Sequence, residues 1–399
     1  MKNLFYFIIF VFSIIIVTPF LAEANGGVWI WPRNINVEQT DQNAIIAWNG
    51  QEEMLVLSTN WEKPAGSQSA TLLKVVPLPT KPSEIKEGET VIFEKLVKIL
   101  NEKIDAMQEQ NLSGDGESGF NAPGATKGVE VIFQKIIGAH DVTVVRVNKQ
   151  EDFSKWIDDF STQKTFEKKQ ISEEFKAGLQ SYLKRNINYF VFDIVNLSET
   201  QTTIKPLIYR FKSNYFYFPM LVSGISEISD SQTKVNLFLV FNESLELPRR
   251  IWQGGHNYWV NDDGVDIKLT NAELKDVSQD LVVLFNNDVI VRRFEMSGKL
   301  SEINKDLMLF PQLLQSNLKM GMRSNDVKIL QQLLINEGFW ESEVGVTSYF
   351  GSVTKKAVMK FQNQYKRQIL EPLGLSGPTG FFGPYTRKYL NENIFIGVK

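Results

Sequence analysis

Residues 348–365 read SYFGSVTKKAVMKFQNQY, and residues 380–390 read GFFGPYTRKYL. The two stretches share one pattern, which occurs as Tyr349-Phe350-Gly351-x-x-Thr354 and as Phe381-Phe382-Gly383-x-x-Thr386. Glycine permits a tight entry into a helix, and threonine can hydrogen-bond backbone groups of the first turn. The repeat therefore predicts two helices that begin alike, one after Gly351-Ser352 and one at Pro384, a residue type allowed in a first turn.

An earlier helix is predicted directly upstream of this repeat. Ser324 is a suitable N-cap, and Gly338 stands where a helix commonly ends. Core positions of the three predicted helices follow helical spacing, and they are Val327, Leu330, Leu334, Ala357, Val358, Phe361, Tyr365 and Leu390. The C-terminal part of the chain is therefore expected to be a small all-α domain of three helices.

These residues closely resemble the three-helix peptidoglycan-binding domain that is appended to many wall hydrolases. The positions that carry the resemblance are Leu318-x-x-Gly321, Asp326-Val327-x-x-Leu330-Gln331-x-x-Leu334, Gly338, Tyr349-Phe350-Gly351-x-x-Thr354-x-x-Ala357-Val358-x-x-Phe361-Gln362 and Thr379-Gly380-x-x-Gly383-x-x-Thr386. The match covers residues 318–393, about a fifth of the chain. One departure is the long stretch 367–378 between the second and third helices.

The resemblance implies that peptidoglycan is the partner and that contacts come from helix starts and loops. Amide and hydroxyl groups suit the peptide and sugar groups of peptidoglycan, and aromatic faces suit sugar rings. On this basis the candidate binding residues are Asp326, Gln331, Tyr349, Thr354, Gln362 and Tyr365.

Charge is unevenly distributed along the chain. Residues 318–399 carry 11 Lys+Arg and 6 Asp+Glu, a net charge of +5, whereas the rest carries 32 and 40, a net charge of -8. A basic domain on an acidic body suits an anionic polymer, although an ordinary solvated surface explains the same charges. The overall net charge of -3 gives no sign of a nucleic-acid partner.

Residues 1–24 have the features of a secretory signal peptide. Lys2 precedes an apolar run, Pro19 interrupts it, and Ala22-Glu23-Ala24 forms a cleavage pattern, so the mature chain is expected to begin at Asn25. An uncleaved N-terminal anchor helix is the alternative, because Leu4–Ala22 is just long enough to cross a bilayer. Either reading predicts a secreted or periplasmic protein associated with the cell wall.

Residues 25–310 are predicted to form an α+β body with an antiparallel or mixed sheet. Asn49-Gly50 predicts a hairpin turn, residues 111–128 a flexible loop, and residues 311–317 a linker. Three prolines, Pro77, Pro79 and Pro82, are expected to stop regular structure, and Leu281–Glu295 to form two strands around Asn286-Asn287. Further strands are expected at Ala44–Trp48, Met54–Ser58, Thr71–Val76, Val129–Ile137, Val142–Val147, Tyr189–Val195, Thr203–Phe211, Tyr215–Leu221 and Val235–Phe241. Helices are expected at Val91–Gln108, Glu151–Phe160 and Ser172–Arg185.

The body resembles an uncharacterised family of secreted bacterial proteins. The segments that carry this resemblance are Asn43-Ala44-Ile45-Ile46-Ala47-Trp48-Asn49-Gly50, Met54–Ser58, Val75-Val76-Pro77-Leu78-Pro79 with Pro82, Asp141-Val142, Trp156 and Tyr189-Phe190-Val191. The resemblance implies a fold unit and no particular reaction.

Catalytic motifs are missing from the body. The chain has no cysteine, and its two histidines, His140 and His256, are far apart in sequence, so thiol and zinc-peptidase chemistry are not expected. We therefore predict no catalytic residue, no metal site and no cofactor. A glycosidase needs only two carboxylates, which spacing cannot exclude, so a wall-targeted hydrolase remains one alternative. A protein-interaction or sensor domain with an unknown envelope partner is the other.

Overall fold

A computed structural model describes residues 27–31, 38–62, 68–108, 129–164, 171–197, 204–226, 232–243, 253–254, 258–262, 265–303, 305–310, 314–341 and 344–393. The predicted signal peptide, the predicted loop 111–128 and His256 lie outside these residues. Among the helices that are described, none is both long enough and apolar enough to cross a membrane.

Sixteen strands are described, all of them in the body. They are β1 (Gly27–Trp31), β2 (Glu38–Trp48), β3 (Glu52–Glu62), β4 (Ala70–Leu78), β5 (Pro82–Glu87), β6 (Val129–Ile137), β7 (His140–Val147), β8 (Tyr189–Leu197), β9 (Leu207–Lys212), β10 (Phe216–Phe218), β11 (Gln232–Asn242), β12 (Gln253–Gly254), β13 (Tyr258–Asp262), β14 (Ile267–Leu269), β15 (Val289–Lys299) and β16 (Leu307–Leu309).

Ten α-helices are described, six in the body and four in the C-terminal module. They are α1 (Val91–Gln108), α2 (Gln150–Gln163), α3 (Glu173–Lys184), α4 (Leu221–Gly224), α5 (Asn271–Val277), α6 (Gln279–Phe285), α7 (Asn325–Asn336), α8 (Ser352–Gln364), α9 (Lys366–Ile369) and α10 (Pro384–Asn393).

Two large sheets form the body. One has five antiparallel strands in the order β1-β4-β8-β7-β6. The other has the order β12-β13-β15-β11-β2-β3-β9-β5, with β14 added to β15, and its β2–β11 pair is parallel. The predicted α+β body with a mixed sheet is therefore confirmed, and the helices of the C-terminal region confirm the all-α module.

Alternation along β2 shows how the larger sheet is buried on both faces. Ile45 and Ala47 pack against α1, α5 and α6, whereas Ala44, Ile46 and Trp48 face the main core shared with the five-stranded sheet. Successive side chains of a strand point to opposite faces, so a strand apolar at every position must be covered twice. Helix α1 has the predicted bounds, and Ile92, Leu96, Ile99 and Leu100 on one of its faces are buried.

Two predictions about the body are wrong. Pro77 lies within β4 and Pro82 begins β5. In the described part of the chain, β1 pairs with β4 as far as Val75, and Pro77 pairs with Phe190 of β8, so the missing N–H costs no bond to the described residues of β1. In Leu281–Glu295, only the second half is a strand. The first half belongs to α6, which Ser278 caps and which ends at Asn286 in a left-handed conformation.

The main core continues from the body into the C-terminal module. Phe310 of the body and Leu314, Leu330 and Leu333 of the module belong to the same cluster of buried side chains. Of the predicted linker 311–317, residues 314–317 are described, and Leu314 exchanges hydrogen bonds with the Asn391 amide on α10. Leu314 is buried, and residues 315–317 are exposed.

Candidate functional site

The first loop of the C-terminal module is folded around one buried amide. The Gln331 Oε1 atom accepts hydrogen bonds from the backbone N–H groups of Thr347 and Ser348, both at 2.9 Å. Its Nε2 atom donates to the Tyr349 carbonyl and to the Thr354 hydroxyl, both at 2.8 Å. Helix α7 thus fixes the loop that leads into α8.

The second loop repeats this arrangement around Gln362. The Gln362 Oε1 atom accepts from the N–H groups of Thr379 and Gly380, both at 2.9 Å. The Nε2 atom donates to the Phe381 carbonyl at 2.8 Å and to the Thr386 hydroxyl at 3.0 Å. Helix α8 thus fixes the loop that leads into α10, as α7 does for α8.

The equivalence of the two loops extends to the backbone. Ser348 and Gly380 occupy the same position of the repeat, with φ of 61° and 71°. A short segment joins the loops, because Leu318 bridges to Phe382 and Arg323 bridges to Tyr349. The sequence echo is therefore a structural duplication of a glutamine-organised loop followed by a helix.

Three of the predicted binding residues lie in the interior. Gln331, Thr354 and Gln362 are buried, and their polar groups hydrogen-bond within the module. These side chains hold the loops in shape and present no surface to a polymer. The Thr354 and Thr386 hydroxyls accept from the two glutamine amides, and the Thr354 hydroxyl also donates to the Tyr349 carbonyl at 3.4 Å.

The other three predicted residues reach the surface. Tyr349 is 41% exposed, and the Arg323 guanidinium lies 5.2 Å from its ring centroid. Asp326 is half-buried in the first turn of α7 and accepts from the Ser316 N–H at 3.3 Å. Tyr365 is half-buried, with its ring edge-on to Phe361 and tilted against Tyr389, and burial raises its pKa. A contact with peptidoglycan remains a prediction for these three.

Two exposed aromatic residues escaped the sequence prediction. Phe381 is 41% exposed in the second loop, and Tyr385 is 43% exposed at the start of α10. Phe381 holds the same repeat position as Tyr349, so the echo itself was the signal that could have found it. The stretch 367–378, where the sequence departs from the family pattern, contains the end of α9 and a 3₁₀ turn at Glu371–Leu373.

The body contains a buried charged cluster on the five-stranded sheet. His140 Nδ1 lies 2.8 Å from Asp193 Oδ2, and His140 Nε2 lies 3.0 Å from the Lys205 carbonyl. A carboxylate and a carbonyl only accept, so this geometry favours the imidazolium form and raises the pKa of His140, although burial opposes the rise. Lys74 is the cross-strand neighbour of Asp193, and burial lowers its pKa to about 8, although the Asp193 charge opposes this.

The space beside this cluster is small. Lys74, His140 and Asp193 line a cavity of about 20 Å³ together with apolar side chains such as Leu72 and Ile204. Such a volume holds a water molecule and no organic substrate. Within the described ranges, no group of three or more His, Asp or Glu side chains is placed to hold a metal ion.

A second buried polar cluster lies where the body meets the module. The Asp306 carboxylate accepts from the Tyr182 hydroxyl and the Leu221 N–H, both at 2.9 Å. Burial raises the pKa of Asp306, although the Arg185 charge and these hydrogen bonds oppose the rise. On the module side, the Asn336 amide donates to the Asp306 carbonyl at 3.3 Å.

Taken together, the fold and the duplicated loops define an α+β body joined to a small all-α domain. Residues 323–369 match the family described as a putative peptidoglycan binding domain. Residues 22–247 match the family described as an uncharacterized protein conserved in bacteria, DUF2330. Because that match spans more than half of the chain, the protein belongs to this uncharacterised bacterial family.

Solved structures offer only distant likenesses. The crystal structure of baculovirus P35 is similar at 10% identity and a TM-score of 0.35, over 70% of this chain and 97% of that one. P35 in the crystal structure of the caspase-8/P35 complex is similar at 9% identity and a TM-score of 0.32, over 67% and 95%. Neither likeness bears on function. No curated protein matches the chain.

Proposed function

We propose that this is an exported bacterial protein that is held on peptidoglycan by residues 318–393 and whose body is not an enzyme. The observation that carries the proposal is the match of residues 323–369 to a putative peptidoglycan binding domain. The two glutamine-organised loops support it, because they hold Tyr349 and Phe381 at the surface of the whole chain.

Specific contacts and general charge attraction both favour such a ligand. The module has a net charge of +5, which attracts anionic wall polymers. Exposed rings and loop backbone groups suit the sugars and peptides of peptidoglycan itself. Charge attraction weakens with salt, since the Debye length falls from about 10 Å at 0.1 M to about 3 Å at 1 M salt. The contacts made by rings and loop backbone groups are insensitive to salt.

A non-catalytic body is consistent with the state of its buried acids and its described histidine. Glu53 and Asp306 are fully buried, and Glu53 accepts a backbone hydrogen bond from Tyr217 at 2.7 Å. His140 uses both ring nitrogens in hydrogen bonds, so neither is available to take a proton from a substrate. These groups are placed to join parts of the fold.

Export is proposed from the sequence of residues 1–24. N-terminal sequencing of the exported protein should find Asn25 first. Recovery of Met1 from that fraction would instead indicate an anchor helix.

Sedimentation with purified walls tests the central proposal. The full mature chain should sediment with walls stripped of anionic polymers and should stay bound at about 0.5 M salt, where screening is strong. Complete release by salt would reduce the module to a basic patch. A zymogram on the same walls tests the body, and a cleared band would establish the hydrolase alternative.

A further inference from the structure

The second loop presents an aromatic ring at a fixed place on the surface. A Cβ atom on Gly383 would lie 2.6 Å from Phe381 Cε1, so the ring lies directly over this glycine at the start of α10. The next residue, Phe382, is buried, and the Gln362 amide holds the Phe381 carbonyl. The position of the exposed ring is therefore fixed by its contact with Gly383 and by the hydrogen bond from Gln362 to its own backbone.

Tyr385 adds a second exposed ring to the same region. It lies four residues after Phe381, in the first turn of α10, and it is 43% exposed. Exposed aromatic groups close together on a folded domain are typical of a binding surface, because burying them with a partner releases ordered water. The described residues of the body leave both rings exposed.

The two loops differ in what covers the outer ring. The Arg323 guanidinium covers Tyr349, at 5.2 Å from the ring centroid. Among the described residues, neither a ring nor a cation is recorded against Phe381 or Tyr385. The first loop thus offers a charged surface, and the second offers partly exposed rings with no cation over them among the described residues.

The exposed parts of these rings suit one chemical part of peptidoglycan in particular. The C–H groups on the face of a pyranose ring are weak hydrogen-bond donors, and an aromatic face carries negative charge that accepts them. Peptide stems, with carboxylates and amide groups, suit a guanidinium better.

We propose that Phe381 and Tyr385 form a sugar-binding subsite that stacks on the glycan strand of peptidoglycan. This inference rests on the proposed function and goes further by naming the part of the polymer that is bound and the residues that bind it. Neither residue is among those that the sequence indicated.

Affinity measurements on the full mature chain test the subsite. Phe381→Ala and Tyr385→Ala should each weaken binding to stripped walls by about tenfold, a change of about 1.4 kcal/mol. Phe381→Tyr keeps a ring and should bind like the wild type. The matched control is Leu373→Ala, because Leu373 is 48% exposed in the same module. Circular dichroism establishes that each variant is folded.

A soluble, peptide-free glycan tetrasaccharide then identifies the part of the polymer. The tetrasaccharide should compete with walls for the wild type. A free stem peptide should not displace walls from the surface formed by Phe381 and Tyr385. If the wild type binds walls but both alanine variants bind equally well, the subsite is wrong and the proposed function stands. Loss of binding in the variants without competition by the glycan would overturn the sugar assignment.

Two further results would also overturn the subsite. One is a wild type that does not bind walls at all, which removes the proposed function as well. The other is a change of oligomeric state in the two alanine variants with wall binding intact, which would make this surface a contact between copies of the chain.

Discussion

Each loop of the module depends on a single side-chain amide. The buried Gln362 amide bonds two backbone N–H groups, one backbone carbonyl and the hydroxyls of Thr379 and Thr386. A buried polar group that loses its partner costs about 1–3 kcal/mol, and here several groups would lose theirs together. The glutamine is therefore worth more to loop stability than an ordinary hydrogen bond.

We predict that Gln362→Ala loosens the second loop while leaving the rest of the module folded. Amide hydrogen exchange at Thr379 and Gly380 should accelerate by at least about tenfold, equivalent to 1.4 kcal/mol, because both N–H groups lose their acceptor. Gln364→Ala, an exposed position of the same helix, is the control and should leave both amides protected. Unchanged exchange in Gln362→Ala would show that the amide is dispensable.

The roles of the two glutamines could not be predicted from the sequence. An amide suits a peptide or sugar ligand, and it suits a backbone loop equally well, so chemistry alone could not assign Gln331 and Gln362. The helical core positions Leu330, Ala357, Val358 and Phe361 were predictable because period determines burial. Tertiary packing decides which side of a helix faces a loop, and the periodicity of the sequence carries no information about that packing.

The histidine cluster makes part of the body's stability depend on pH. Burial alone would lower the pKa of His140, but the hydrogen bond and charge of Asp193, with the Lys205 carbonyl, raise it overall. A raised pKa means that the folded state holds the proton more tightly than the unfolded chain does. The contribution is therefore complete below about pH 6.5, the unfolded pKa, and is lost as the pH rises through the folded pKa.

We predict that His140→Gln costs most stability at acidic pH. Its free energy of unfolding should lie furthest below that of the wild type at about pH 6 and should approach it as the pH rises. Urea titrations across this range measure the difference. Lys74 changes stability in the opposite direction with pH, because its buried ammonium loses its charge, and the cost of burying it, from about pH 8 upward. Both proteins should therefore be compared in a Lys74→Met background. A difference that is constant with pH would contradict the imidazolium assignment.

At the scale of elements, α5 is tied to the neighbouring helix α1 through Glu273, a residue of its capping box. The Thr270 hydroxyl accepts from the Glu273 N–H at 3.3 Å, and the Glu273 carboxylate accepts from the Thr270 N–H at 2.7 Å. The same carboxylate binds the Lys103 ammonium of α1 at 2.7 Å. This capping box therefore starts a helix and ties it to its neighbour.

We predict that Thr270→Ala lowers the free energy of unfolding of the body by about 1 kcal/mol, the usual cost of losing an N-cap. Thr162→Ala is the matched control, because Thr162 is exposed near the end of α2 and its hydroxyl only donates to the Asp158 carbonyl. The control should stay within about 0.5 kcal/mol of the wild type. Equal effects of the two substitutions would show that the cap contributes nothing.

Caps also explain the main error in predicting the elements. The residues Leu281–Phe285 are apolar almost throughout, a run that periodicity alone cannot assign to helix or strand. The deciding signals are Ser278, whose hydroxyl accepts from the Asp280 N–H at 3.2 Å, and Asn286, with φ of 52°. Longer segments such as α1 were predictable, because 18 residues give several turns of consistent period.

At the scale of the whole molecule, body and module share a core and polar contacts. The Lys305 ammonium binds the Glu337 carboxylate at 2.8 Å, and the Gln332 amide donates to the Tyr215 hydroxyl at 3.4 Å. The Tyr215 ring also packs on Phe310 with centroids 4.6 Å apart. Opposite net charges and separate family matches predicted two units, but no local pattern revealed how closely they pack.

We predict that the wild-type chain unfolds in one calorimetric transition, because melting the module exposes the core of the body. Gln332→Lys combined with Asn336→Lys places two charges in the buried contact and should split the transition, with the module melting first. Asn325→Lys, at an exposed position of α7, should leave a single transition. Two transitions in the wild type would mean that the shared core does not couple the units.

The shared core has a mechanical consequence for a copy bound to the wall. An anchor on a flexible tether lets its cargo sweep a volume set by the tether length, and any partner within that radius is within reach. Here Gln332 and Asn336 of α7 and Glu337, which follows the helix, contact the body. The body of a bound copy would therefore be held at a fixed distance and orientation relative to the wall. The envelope components that it can contact would then depend on their position as well as on their affinity.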